Sequence, residues 1–360
     1  MAAHAFVIAE AGVNHNGSLD LALQLIDVAA AAGADAVKFQ TFNADDLVTR
    51  DAPKAAYQQR NMDGGASSSS QYDMLRRLQL DRAAHDALRR HCAEQGVEFM
   101  STAFDLRSLD LLCEVGIKRL KVGSGEITNG PLLLAMARRH VPVILSTGMS
   151  TLEEIHAALG VLAFGFIGTA EKPSEAAFDA AFTAAEGQAA LARLVTILHC
   201  TTEYPAPYED VNLRALDTLR ESFGCSVGLS DHSPGIAIPI AAVARGASTI
   251  EKHFTLDRAL PGPDHAASLT PQELRDMIAG IRAVEAAIGD GQKVPRPSEV
   301  ANIRIARRSL VAARPIRAGE VLGEDALAVK RPGGGVSPMR YWDRLDRPAE
   351  RSYAADEMIE

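Results

Sequence analysis

Short apolar or β-branched runs that end in polar residues recur along the chain. They fall at 6–10 (FVIAE), 36–41 (AVKFQT), 97–102 (VEFMST), 119–124 (RLKVGS) and 143–148 (VILSTG). Three more follow at 194–200 (LVTILHC), 226–232 (SVGLSDH) and 248–254 (STIEKHF). Between most of them lie Ala-, Leu- and Arg-rich stretches of helical period, such as 19–32, 82–95 and 152–162. Gly33, Gly96, Gly116 and Gly246 stand just before strands, where a helix ends in a left-handed cap. Eight alternations of strand and helix predict a (β/α)₈ barrel, with an open doubly wound sheet as the alternative. A dinucleotide-binding reading is weak, because no GxGxxG follows the first strand.

Two spacings are longer than the others. One contains 51–80, with a low-complexity tip GGASSSSQ at 64–71, and reads as a loop over one face; the other contains 165–187 and reads as a helical insertion. A helix of clear period is expected over 271–288. The turn-rich GDGQKVPRP that follows sets a linker at 289–299, between a barrel at 1–288 and a second unit at 300–360. A unit so small has a marginal core and is expected to pack against the barrel or a second subunit.

Charge supports that division. The chain carries a net charge of −9, yet residues 293–360 hold 13 basic and 10 acidic side chains, leaving 24 basic and 36 acidic for the rest. So acidic a body does not suit nucleic acid or an anionic membrane. No charged start followed by a long apolar run marks a signal peptide, and no apolar stretch is long enough to span a bilayer. The four cysteines, Cys92, Cys113, Cys200 and Cys225, form no CxxC pair and read as buried free thiols of a cytoplasmic protein.

A barrel carries its chemistry at the C-terminal ends of its strands, and here those ends are polar throughout. They hold Glu10, Lys38, Gln40, Thr102, Lys121, Ser124, Glu126, Ser146, Thr147, His199, Ser230, Asp231, His232, Glu251 and His253. His232 and His253 close neighbouring strands and can converge on one ion; with oxygen ligands such a pair suits Mn²⁺, Co²⁺, Fe²⁺ or Zn²⁺. His199 is either a third ligand or a hydrogen-bonded core residue, and His15 is a loop candidate for the same rim. His4, His85, His91, His140 and His156 read as terminal or helix-surface residues. Lys38 and Lys121, each between apolar neighbours, need a partner or a ligand if they point inward. With the hydroxyls of Thr102, Ser124, Ser146 and Ser230 they describe a pocket for a small, highly charged anion. Internal pairing with Glu10, Glu126 or Glu251 is the other reading, and a Schiff-base lysine is a third.

The segments EAGVNHNGS (10–18), AVKFQT (36–41), KVGSGE (121–126), ILSTGMS (144–150), LHCTTEYPAPYEDVNL (198–213), GLSDHS (228–233), EKHFT (251–255), RALPGPDH (258–265) and RPGGG (331–335) resemble the sialic acid synthase family. The match runs in order through the chain and includes a C-terminal unit similar to the antifreeze-like (SAF) domain. The resemblance implies a metal-dependent condensation of phosphoenolpyruvate with an open-chain N-acyl-mannosamine-type sugar. It assigns a Mn²⁺-like ion, with Mg²⁺ or Co²⁺ as alternatives, to His232 and His253. Lys38, Thr102, Lys121, Ser124, Ser146 and Ser230 would bind phosphoenolpyruvate. Glu10, Gln40, Glu126, Thr202, Tyr204 and Asp264 would face the sugar, with Glu126 also the candidate for handling the attacking water. The resemblance further implies a domain-swapped homodimer in which Arg331 of one subunit reaches the sugar of the other. The chain reads Thr201-Thr202-Glu203 where some members have an asparagine. That wording and the 165–187 insertion look closer to the legionaminic acid branch, which leaves two sugars open, N-acetylmannosamine and a 2,4-diacetamido-trideoxymannose. A Schiff-base aldolase and a non-catalytic sugar-binding protein are the competing expectations.

Overall fold

The structure, a computed structural model, describes residues 4–55, 58 and 70–360. Most of the low-complexity tip expected at 64–71 therefore lies outside the described residues. The chain divides into two compact units, Met1–Gly289 and Asp290–Glu360.

In the first unit eight parallel strands close into a barrel in chain order. They are β1 (Phe6–Gly12), β2 (Ala36–Thr41), β3 (Glu98–Ala103), β4 (Leu120–Val122), β5 (Val143–Ser146), β6 (Val195–Cys200), β7 (Ser226–Asp231) and β8 (Thr249–His253). β1 pairs with β8 from Phe6 opposite Thr249 to Glu10 opposite His253, which shuts the ring and excludes the open sheet. Because side chains alternate along a strand, every second residue enters the barrel. Ile8, Ala36, Met100, Ile144 and Leu198 form a small buried cluster of their own, the apolar plug. Two residues further along the same strands come Glu10, Lys38, Thr102, Ser146 and Cys200, so the polar layer sits directly on that plug. The intervening residues, among them Val7, Val37, Phe39, Phe99 and Ile197, join the large core beneath the helices.

The helices begin and end where local chemistry directs them. Asp81 caps Arg82–Gln95 by accepting from the Ala84 N–H, and Gly96 ends that helix at φ 75°. Thr270 and Glu273 form a capping box at the start of Pro271–Ile288. The expected insertion is helical: Leu152–Ile167 runs on into Glu175–Thr183 and Ala185–Leu194.

Strands four, five and seven are shorter than the sequence predicts. Gly123 turns the chain into a 3₁₀ segment, Ser124–Glu126, so Ser124 and Glu126 stand on a turn above the rim. Thr147 and His232 follow their strands directly. The second unit departs from its expected start, because a helix, Pro297–Ala306, crosses position 300. Its core gathers Leu310, Ile316, Leu322, Leu327, Tyr353 and Ile359 around the antiparallel pair β9 (Ser309–Ala312) and β10 (Leu327–Lys330).

Candidate active site

The barrel mouth opens into a cleft of about 1000 Å³, including the space at its entrance. Its floor is a chain of buried charges. Lys38 Nζ lies 2.8 Å from Glu10 Oε2 and 3.6 Å from Glu251 Oε2, and donates to Thr102 Oγ1 at 3.0 Å. Lys121 Nζ lies 3.5 Å from Glu251 Oε1 and donates to Ser146 Oγ at 2.8 Å. Ser230 Oγ donates to Glu251 Oε1 at 2.9 Å. Glu251 thus sits between the two lysines, so the internal pairing anticipated for an inward lysine is present, and the hydroxyls expected beside an anion are present with it.

Electrostatics distinguish the two carboxylates. Burial pushes Glu10 up to about 7, against the pull of Lys38. Burial acts on Glu251 too, but Lys121, Lys38 and the Ser230 hydrogen bond outweigh it and hold Glu251 at about 2. Burial lowers Lys121, whereas for Lys38 the effect of burial is overcome by Glu10 and Glu251, which raise it. Near neutrality the floor therefore carries one firmly ionised carboxylate, Glu251, and one carboxyl, Glu10, that takes up or gives up a proton.

The histidine pair stands beside this floor. The His232 and His253 ring centroids are 5.4 Å apart, and both side chains line the cleft. His232 Nδ1 is 2.7 Å from the Thr201 carbonyl oxygen, to which it donates, leaving Nε2 as a ligating atom. Burial holds His253 well below its ordinary pKa, as a neutral imidazole, and its buried Nδ1 has no hydrogen-bond partner. Asp264 Oδ2 approaches that nitrogen to 4.0 Å, and burial raises Asp264 to about 6. Among the described residues no group of three or more His, Cys, Asp and Glu side chains is arranged to hold a metal. The donor set is two imidazoles, a pair whose chemistry fits a divalent ion.

The upper wall collects other expected residues. Gln40, Ser124, Glu126, Thr202 and Tyr204 all line the cleft. Gln40 Nε2 reaches Glu10 Oε1 at 3.5 Å, and Glu126 accepts from Asn129 Nδ2 at 2.7 Å. The Tyr204 ring lies 4.0 Å from that of His232. Thr202 Oγ1 is buried without a hydrogen-bond partner. Gly148 makes this wall possible. Its N–H donates to Ser124 Oγ at 2.9 Å, and a Cβ there would stand 2.2 Å from Thr202 Oγ1.

Several expectations change. His199 is not a third ligand: strand alternation turns it outward, where Nε2 bonds the Val211 carbonyl at 2.6 Å. The same alternation brings in Cys200, whose Sγ is 3.7 Å from His232 Nδ1, so this thiol lines the cleft as well as being buried. His15 is fully buried and does not line the cleft. Nor is His85 a helix-surface residue; it is buried, with Nε2 2.7 Å from Thr41 Oγ1. Glu203 is not among the lining residues. Arg331 belongs to the second unit, exposed just after β10.

The pattern of the NeuB family matches residues 25–293, and that of the SAF domain matches residues 307–357. The chain belongs to the NeuB family. It is 47% identical over 353 residues to the N,N'-diacetyllegionaminic acid synthase of Campylobacter jejuni, covering 98% of each chain. To the N,N'-diacetyllegionaminic acid synthase of Legionella pneumophila it is 44% identical, over 92% of this chain and 87% of that one. Among solved family structures, the N-acetylneuraminic acid (sialic acid) synthetase of Leptospira borgpetersenii in complex with citrate superposes with a TM-score of 0.66 at 33% identity, over 83% of this chain and 90% of that chain.

Proposed function

We propose that this member of the NeuB family condenses phosphoenolpyruvate with an open-chain N-acylated mannosamine-type sugar, giving a nine-carbon sialic acid and phosphate by C–O cleavage. Of the two sugars, 2,4-diacetamido-trideoxymannose is the favoured substrate and N,N'-diacetyllegionaminate the product, a choice supported by the names of the two relatives above. The observation that carries the reaction is the buried Lys38–Glu251–Lys121 floor lying beside His232 and His253 in one cleft.

In this reading Lys38 and Lys121, with the hydroxyls of Thr102, Ser124, Ser146 and Ser230, hold the phosphate and carboxylate of phosphoenolpyruvate. Gln40, Thr202, Tyr204 and Asp264 orient the sugar so that its aldehyde meets C3 of the enol. A divalent ion on His232 and His253, Mn²⁺ first and Mg²⁺ or Co²⁺ as alternatives, would supply Lewis-acid polarisation of the aldehyde oxygen. As the C3–C1 bond forms, positive charge develops at C2, and a water held by Glu126 adds there. Glu126 takes that water's proton, and the former aldehyde oxygen takes up a proton as it becomes a hydroxyl. Collapse of the resulting adduct breaks the bond from C2 to the bridging phosphate oxygen as the C2 hydroxyl becomes a carbonyl, its proton leaving with the phosphate.

Arg331 belongs to the same reading: a domain-swapped homodimer in which the partner's small domain brings this residue to the sugar. The expected compartment is the cytoplasm; no described helix is long and apolar enough to cross a membrane. Phosphoenolpyruvate labelled with ¹⁸O at the C2–O–P bridge tests the chemistry. Label recovered in inorganic phosphate supports C–O cleavage. Label retained in the sugar acid contradicts it, and borohydride trapping of substrate on a lysine, unaffected by chelator, favours a Schiff-base aldolase instead.

A further inference from the structure

We propose that the buried Asp231–Lys252 ion pair is a positioning device for the His232–His253 pair, and through it for the divalent ion. The inference rests on the metal reading above.

Along β7 and β8, Ser230 and Glu251 face the cleft, as do His232 and His253 at the strand ends. Asp231 and Lys252 are register partners on the opposite face. Lys252 Nζ is 2.6 Å from Asp231 Oδ2, and both side chains are 1% exposed. The same ammonium donates to the Ser233 carbonyl oxygen, while Asp231 Oδ1 accepts from the Ser233 N–H at 3.0 Å. The three residues therefore lock the end of β7, the turn after it and β8 into one unit. His232 lies between two of the locked residues, and His253 directly follows the third.

The chemistry of the pair points to geometry more than to stability. Withdrawing two charges from water offsets much of their attraction, and an apolar pair of similar volume serves a core about as well. A lysine with two acceptors adds direction, which apolar packing does not supply. Partners bonded directly to a ligating side chain tune metal affinity by roughly 10–100-fold, and a lock on the backbone flanking both histidines acts in the same direction through their placement.

The test is Mn²⁺ titration of the full chain, with free ion read by electron paramagnetic resonance. An Asp231→Leu/Lys252→Met double variant is expected to keep its circular dichroism spectrum and cooperative melting. Its Mn²⁺ dissociation constant should rise about 10-fold or more, and turnover of phosphoenolpyruvate should be restored by excess Mn²⁺, a rescue that a merely structural defect would not show. Asp231→Asn, which keeps the shape of the pair and removes its charge, is expected to weaken Mn²⁺ in the same direction by a smaller factor. A folded double variant that binds Mn²⁺ as tightly as the unsubstituted chain overturns the proposal. Should the double variant not fold, unchanged affinity in Asp231→Asn does so. Turnover without any Mn²⁺ binding in the unsubstituted protein overturns the metal reading, and the positioning role with it.

Discussion

At the scale of single residues, the cleft depends on groups that are costly to bury alone. Lys121→Met would leave Glu251 with Lys38 as its remaining cation and vacate the contact to Ser146. Breaking a buried pair from one side costs about 3–5 kcal/mol, so the melting temperature should drop. The KM for phosphoenolpyruvate should rise far more than that for the sugar; an equal rise in both would contradict the assignment of Lys121 to the anion. Gly148→Ala tests the wall in a different way. A methyl group 2.2 Å from Thr202 Oγ1 cannot be accommodated in place. Overpacking of this kind costs about 1–3 kcal/mol, and kcat should fall as Ser124 and Thr202 are displaced. A crystal structure of an active variant with Thr202 unmoved would contradict this.

At the scale of elements, the alternation of strand residues decides what reaches the site. The polar strand ends were legible as a set, and most of them do converge. What the sequence alone did not convey was where each strand stops and which face each residue takes. His199 and Cys200 show the difference: counting by twos from the plug residue Leu198 turns the histidine out and the cysteine in. Glu251 was legible as a strand-end carboxylate, but its place between two lysines depends on β2, β4 and β8 meeting across the barrel, which no local pattern records. Sequence proximity to β1 suggests the rim for His15, but in the fold it is fully buried away from the cleft. Burial holds His15 down at about 4, against about 6.5 in an unfolded chain. Between those values the unfolded state binds the proton more readily. This contribution to stability is fully present above about pH 6.5 and is lost as pH falls toward 4, by about 3 kcal/mol in all. His15→Asn should flatten the stability profile over that range in thermal melts; an unchanged slope would assign the acid sensitivity elsewhere.

At the scale of the whole molecule, the uneven charge and the turn-rich segment near 290 marked the division into two units, each of which has its own core. The helix across position 300 is hard to see in the sequence, because proline at its first turn and the surrounding polar residues have the composition of a linker. A chain ending at Gly289 should fold and keep its affinity for phosphoenolpyruvate, while its KM for the sugar rises, and Arg331→Ala in the full chain should move the same way. Unchanged sugar kinetics in both would remove the small domain from the site. In the proposed reaction the cleft joins phosphoenolpyruvate to an acylated mannosamine-type sugar. Its most direct test is phosphate release by the Mn²⁺-supplemented protein with 2,4-diacetamido-trideoxymannose and with N-acetylmannosamine, assayed side by side. Sugar-dependent release is expected, with a higher kcat/KM for the diacetamido sugar; release with neither sugar would rule the condensation out.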